Sequence, residues 1–359
     1  MLKKLRLFKD KLRFAKNKFL YDFKASAELS SFNFESIKHI VVSKMDGKLG
    51  DSQVITPFFT QIRQHFPSIK FSVLCSENIA PIYLQCLNID RVVILPKKPQ
   101  KNDIKNAVKK IMNLGPCDLL VTTEPNFRAR DFILESLLKP TYTAGFEGRA
   151  DCVNINLLKR NLGKHISEYF KDLLILGGIK TPDMHYLPLT TKESSEKLAF
   201  LFNGKTVYGI APYGASKHRK LSDKTIIDIC DFFLNFDANA YLCPLVAPQD
   251  RFILETLKNK YNERLIVLPE ELNATDLAYA ISRLKFLLSV DTANVHLACA
   301  SNTSLFALYS GIDPDGIIRW GPAPWCKNAE TFYKEKTLIE NLDFEDFAQQ
   351  LHNFIQIED

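Results

Sequence analysis

Short apolar runs alternate with stretches of helical period along most of the chain. The run "HIVVS" (39–43) precedes an amphipathic pattern that starts near Asp51, and "KFSVLC" (70–75) precedes "APIYLQCL". "RVVILP" (91–96) leads to "KNDIKNAVKKIM", and "CDLLVTT" (117–123) leads to "RARDFILESLL" and then "TYTAGF". A less regular stretch holds a helix at "SEYFKDLLILGG" and the Pro- and Thr-containing "IKTPDMHYLPLTTKES", which marks a domain junction between about 180 and 195. A second series follows: "TVYGIAP", "DKTIIDICDFFL", "AYLCPL", "PQDRFILETLKNKY", "RLIVLP", "ATDLAYAIS", "KFLLSV", "NVHLACA" and "TSLFALY", closed by a helix at "DFEDFAQQLHNFI". Buried-type strands separated by helices imply βαβ units and doubly wound, mostly parallel sheets. The expectation is an α/β chain of two Rossmann-like domains, over 36–185 and 186–359. The last helix is free to pack back on the N-terminal one.

The residues before this pattern differ. Leu2, Leu5, Phe8, Leu12, Ala15, Phe19 and Phe23 recur at helical spacing, and residues 1–24 hold nine Lys/Arg against two Asp. The chain's net charge is +6, so the body is close to neutral and the basicity is local. A basic helix with Leu and Phe on one face suits an anionic membrane surface; the competing reading packs it on the protein's own surface with its charges solvated. Residues 1–35 are therefore read as a basic amphipathic arm and linker. A nucleic-acid partner is not expected, because the body has no matching basic excess. No run reaches the roughly 18 apolar residues of a bilayer span, and no continuous apolar h-region follows the basic start. The expected place is the cytoplasmic side of the inner membrane, held peripherally. The eight cysteines form no CxxC pair and read as reduced, buried small hydrophobes.

Candidate chemistry lies just after strands. In "SVDTANVHLACA", Asp291 ends a strand and Thr292, Ala293 and Asn294 open a helix. Its unpaired amides and positive dipole end suit a diphosphate, and His296 is placed to reach an anion or a sugar hydroxyl. The bland alternative makes Asp291 an N-cap and His296 a satisfied core residue. In "APYGASKHRKLS", Gly214 and Ser216 would let backbone approach a ligand, with Lys217, Arg219 and Lys220 as cations; it is not a Walker motif. In "KMDGKLGDSQVITP", Asp51 can cap a helix running through Pro57, or serve as general base toward an acceptor hydroxyl. Lys48 and Gly50 beside it, with Arg319 and Trp320 in "SGIDPDGIIRWGPAPW", are candidates for the acceptor side. Asp313 and Asp315 imitate a DxD metal motif, but "DPDG" is a turn sequence, and no metal site is expected.

In this order and spacing the chain resembles the heptosyltransferase family of bacterial lipopolysaccharide core synthesis, glycosyltransferase family 9. The resemblance rests on "LGDSQVITP", "HFPSIKFSVL", "DTANVHLA" and, more loosely, "SGIDP". It implies a GT-B fold, with two Rossmann-like domains facing across a cleft. The implied reaction is inverting, metal-independent transfer of a heptose from ADP-heptose to the inner core of lipopolysaccharide. No cofactor is implied beyond the nucleotide-sugar co-substrate; the acceptor partner is a lipid A-core. Carried over, Asp51 is the catalytic base, and Asp291, Thr292, Ala293 and His296 fall at the donor site. Arg219 or Lys220 stands for the phosphate-binding cation, and Asp250 for the acid that contacts the ribose. The sequence departs from the family at Ala293, where the family has Gly, and at "RKLS". Transfer from another nucleotide sugar, such as a UDP-hexose, and a catalytically inactive binding relative are the alternatives.

Overall fold

The computed structural model describes residues 2–25, 27–124 and 127–358; Met1 and Ser26 of the arm and linker lie outside them, as do the side chains of Leu2, Lys3, Lys4, Arg6, Leu7 and Glu358. Contacts divide the chain into two units, one of residues 1–48 and 55–184, the other of 49–54 and 185–359. The short segment 49–54, which sequence reading places in the first domain, thus groups with the second unit.

In chain order the first part holds α1 (Leu2–Tyr21), β1 (His39–Lys44), α2 (Leu49–Val54), which belongs to the second unit, α3 (Thr56–His65) and β2 (Lys70–Ser76). A π-helical turn over Ile82–Cys86 stands where "APIYLQCL" was expected to be helical. Then come β3 (Arg91–Leu95), α4 (Lys101–Met112), β4 (Leu119–Thr122), α5 (Ala129–Leu138), β5 (Tyr142–Gly145), β6 (Ile155–Asn156), α6 (Leu157–Arg160) and α7 (Ile166–Leu176). The helix expected from Asp51 through Pro57 is two helices. A proline inside a helix lacks the N–H and clashes with the carbonyl four residues back. Pro57 instead sits in the first turn of α3, where its missing donor costs nothing. Asp51 consequently lies in the first turn of α2 rather than capping a long helix.

The first sheet is parallel with order β3-β2-β1-β4-β5-β6. Its central strands are buried on both faces, as β-branched runs without alternation require. The helix α1 docks on this unit: Phe14 meets Phe132 edge-on at 5.3 Å, the Arg149 guanidinium lies 4.0 Å above Phe14, and Lys18 donates to Asp151 at 2.8 Å. Tyr21 and Phe23 pack on the same cluster. Leu5, Phe8, Leu12 and Phe19 are each more than half exposed. The helix therefore has two apolar stripes. Of the stripe seen in the sequence, Leu5, Phe8, Leu12, Ala15 and Phe19 face outward and Phe23, beyond the helix, turns inward; the Leu2 side chain lies outside the described residues.

Asp131 is buried in the first turn of α5, accepting from the Arg128 N–H at 2.7 Å. Burial, then the charge of Glu124, push its carboxyl up to about 7, against the pull of that hydrogen bond and of Arg130. Between about pH 4, where an unfolded Asp titrates, and about 7, the folded chain keeps a proton that the unfolded chain releases. Its contribution is whole below pH 4 and lost as pH rises toward 7. Asp131→Asn should flatten the fall in melting temperature between pH 5 and 7.5 relative to the native chain, read by thermal unfolding.

The second unit adds α8 (Lys192–Phe202), β7 (Val207–Ala211), α9 (Asp223–Phe236), β8 (Tyr241–Pro244), α10 (Ile253–Tyr261), α11 (Ala274–Ser282), β9 (Phe286–Val290), α12 (Ala293–Ser301), β10 (Ser304–Leu308), α13 (Pro314–Trp320), β11 (Ala329–Phe332) and α14 (Ala348–Glu358). Its parallel sheet runs β11-β10-β9-β7-β8. "RLIVLP", expected as a strand, pairs with the sheet at an isolated Leu242–Leu265 bridge and does not extend it as a strand. The closing helix α14 spends its apolar face on this unit's core, with Phe354 against Phe286 and Phe306. All eight cysteines are free thiols, six of them buried. Among the described residues, no helix is long and apolar enough to cross a membrane.

Candidate active site

In the second sheet, β8 and β9 flank the first strand of the unit, β7, on opposite sides. The crevice at the carboxyl ends of β7 and β9 is therefore the switch point where open parallel sheets bind ligands. The segments after these two strands are the ones singled out in the sequence.

After β9, Thr292 rather than Asp291 is the N-cap of α12, its hydroxyl accepting from the Asn294 N–H at 3.3 Å. Asp291 is partly exposed and pairs with Arg219, Nη1 to Oδ2 at 2.9 Å. Burial holds its carboxyl above the ordinary value, although Arg219 pulls it down. Ala293 is partly exposed at the helix start, while Asn294 and His296 are buried. The His296 ring lies among Tyr186 and Trp320, each 6.2 Å away between centroids. It is thus a buried ring set among aromatic neighbours, close to the opening turn of α12.

After β7 the chain forms a closed loop. Tyr213 and Lys220 pair as an antiparallel bridge, and the Gly214 N–H donates to the Arg219 carbonyl at 2.6 Å. A Cβ on Gly214 would stand 2.7 Å from the Arg219 Cβ and 3.1 Å from its carbonyl. Gly214 therefore serves the loop's own closure, where a ligand approach was expected. The Ser216 carbonyl accepts from the Arg219 N–H at 3.0 Å. Two of the cations are engaged, Arg219 by Asp291 and Lys220 by Asp250, and the His218 ring contacts Glu340 at 2.6 Å. Lys217 is exposed and has no ion pair among the described residues. Asp250, expected at a ribose, is buried under its Lys220 partner.

The helix α2 packs on α12 within the same unit. A Cβ on Gly50 would lie 3.2 Å from the Ala293 Cα and 3.1 Å from His296 Cδ2. The absent side chain lets the two helices touch at the opening turn of α12. Gly50 is buried by that contact, which removes it from the acceptor-contacting set. Asp51, the next residue, is half-buried. Gln53 secures α2 by donating to the Leu187 carbonyl at 2.8 Å. Trp325, which sequence reading sets with Arg319 and Trp320 as a candidate for lining a sugar or acceptor site, lies tilted against His185 at 4.5 Å between centroids and meets Tyr186 edge-on at 5.1 Å. Arg319 and Trp320 end α13, both partly exposed; Asp313 caps that helix by accepting from Gly316 N–H at 3.0 Å. Among the described residues, no group of three or more His, Cys, Asp or Glu is placed to hold a metal.

The first unit has its own hollow, about 740 Å³, at the carboxyl ends of β1, β2 and β3, lined among others by Asp46, Gly47, Glu77, Asn78 and Lys97. Lys48 is exposed beside it, 3.7 Å from Asp46. Burial raises the Asp46 carboxyl, but Lys44 and Lys48 outweigh this and hold it below the usual range.

Residues 159–351, more than half of the chain, match the family described as glycosyltransferase family 9 (heptosyltransferase). No curated protein matches the chain. Among solved structures, a family 9 glycosyl transferase from Veillonella parvula is similar, at 16% identity and a TM-score of 0.73, over 89% of this chain and 97% of that one. Escherichia coli heptosyltransferase WaaC, solved with ADP, aligns at 17% identity and 0.69, over 89% and 100%. Escherichia coli ADP-heptose lps heptosyltransferase II aligns at 13% and 0.68, over 90% and 99%. These likenesses show a common fold of two parallel-sheet α/β domains, the GT-B architecture.

Proposed function

Because the chain belongs to glycosyltransferase family 9, the heptosyltransferases, we propose that it moves a heptose from ADP-heptose to the inner core of lipopolysaccharide, with inversion and without a metal ion. The observation that carries this reading is the seating of α2 on the opening turn of α12, at Gly50, the residue before Asp51. In this reading Asp51 takes the proton of an acceptor hydroxyl as that oxygen bonds to the sugar's anomeric carbon. The bond from that carbon to the diphosphate breaks, and ADP leaves. Charge building on the diphosphate meets the positive end of α12 at the Ala293 amide, with Lys217 and Arg219 nearby. The ADP in the WaaC structure and the name of the second Escherichia coli relative support the donor. On the first unit, the hollow beside Lys48 is a candidate for sugar contacts.

Incubation with ADP-heptose, or with UDP-hexoses, and a heptose-free lipopolysaccharide acceptor tests the reading by mass. A gain of one heptose from ADP-heptose is expected. Transfer only from UDP-hexose would replace the donor; binding of ADP without transfer would make the chain an inactive relative.

The acceptor's lipid anchor gives the outer stripe of α1 a purpose on the cytoplasmic face of the inner membrane. Each apolar side chain fully buried there contributes about 1.5–3 kcal/mol, and each basic residue near anionic headgroups roughly 1 kcal/mol. Leu5, Phe8, Leu12 and Phe19 therefore outweigh any one of Lys9, Lys11, Arg13 and Lys16. The variant Phe8→Ser/Phe19→Ser should sediment with anionic vesicles at least about tenfold less than the native chain, and neutral vesicles should bind both weakly. Equal sedimentation of the two chains would exclude the arm.

A further inference from the structure

Phe252 is 62% exposed, although it stands at the carboxyl end of the second sheet beside the segments described above. It is the residue before α10, on a turn that follows β8, so it lies off that helix's apolar face. Its ring stacks beside Tyr213, 5.9 Å between centroids with 27° between planes. Tyr213 belongs to the closed loop after β7, and the Lys220 ammonium lies 5.3 Å from its ring. Lys220 in turn holds the buried Asp250, two residues before Phe252. Two loops thus fix an aromatic plate with one face open to solvent.

The loop that carries Tyr213 reaches the start of α12: a Cβ on Gly214, the next residue, would lie 3.4 Å from the Asp291 carbonyl oxygen, and Arg219 of the same loop pairs with Asp291. We infer that the free face of Phe252, backed by Tyr213, is the stacking platform for the base of the nucleoside diphosphate whose phosphates lie at α12. The inference rests on the reading of this unit as the donor site and names the contact that grips the base. Stacking accepts any base because every base has a π face, so Phe252 supplies affinity and the base's edge contacts supply choice.

Titration calorimetry with ADP, UDP and pyrophosphate on the native chain, Phe252→Ala and Phe252→Trp tests it. Phe252→Ala should bind ADP about tenfold more weakly and pyrophosphate as the native chain does. Phe252→Trp should keep ADP affinity and show fluorescence quenching with ADP but none with pyrophosphate. Native ADP affinity in Phe252→Ala, or an equal loss for ADP and pyrophosphate, would overturn the inference while leaving the donor site standing. A native chain that binds neither ADP nor UDP would remove the donor reading itself, and the platform with it.

Discussion

Asp51→Asn is expected to slow sugar transfer by about 10²- to 10⁴-fold and to leave ADP affinity unchanged. Asn has nearly the shape of Asp and keeps its place in the first turn of α2, so packing on α12 through Gly50 is preserved. What is lost is a basic oxygen for the acceptor's proton. The effect should fall on kcat with little change in KM for the donor, since the proton moves only as the new bond forms. A variant that loses ADP binding in parallel would assign Asp51 a structural role on α12 instead. Steady-state kinetics alongside calorimetry separates the two.

Arg219→Ala should weaken ADP binding by about 10- to 100-fold, more than its own contact with phosphate would suggest. Arg219 is the partner of Asp291, which lies immediately before the N-cap of α12. Removing the guanidinium deletes a cation and also leaves a carboxylate facing the arriving diphosphate. The double variant Arg219→Ala/Asp291→Ala should therefore bind ADP better than Arg219→Ala alone, a coupling that a double-mutant cycle measures directly. Lys217→Ala, at an exposed position, should cost only a few-fold. If Lys217→Ala were the larger loss and the double variant gave no recovery, the phosphate contact would belong to Lys217.

Much of this architecture is legible in the chain because parallel strands buried on both faces read as plain apolar runs. The cores of β1, β2, β7 and β9 are such runs. The break between α2 and α3 was equally present, in Pro57, and is missed only when a helical period is followed past it. "RLIVLP" has a strand's composition, but composition does not say that its pairing stops at one isolated bridge. The helix α8 was hidden because Leu198 and Phe202 are buried while Phe200, at a neighbouring position, is exposed. At the site, the motifs after β7 and β9 were visible, but their ion pairs were not. Arg219 and Asp291 are 72 residues apart, and nothing in either segment encodes the other. The grouping of α2 with α12 was likewise invisible, though Gly50 is its trace: a small residue where two helices touch. Phe252 was read as part of an amphipathic helix, which in fact begins one residue later.

The stereochemistry of the product tests the central chemistry most directly. Single displacement assisted by the Asp51 carboxylate requires the new glycosidic bond to form on the face opposite the departing ADP. Nuclear magnetic resonance of the purified product, read at the anomeric position against the donor, should show the inverted configuration. A retained configuration would contradict this account, because it demands a second displacement through a covalent or equivalent intermediate that Asp51, as a proton acceptor, does not supply.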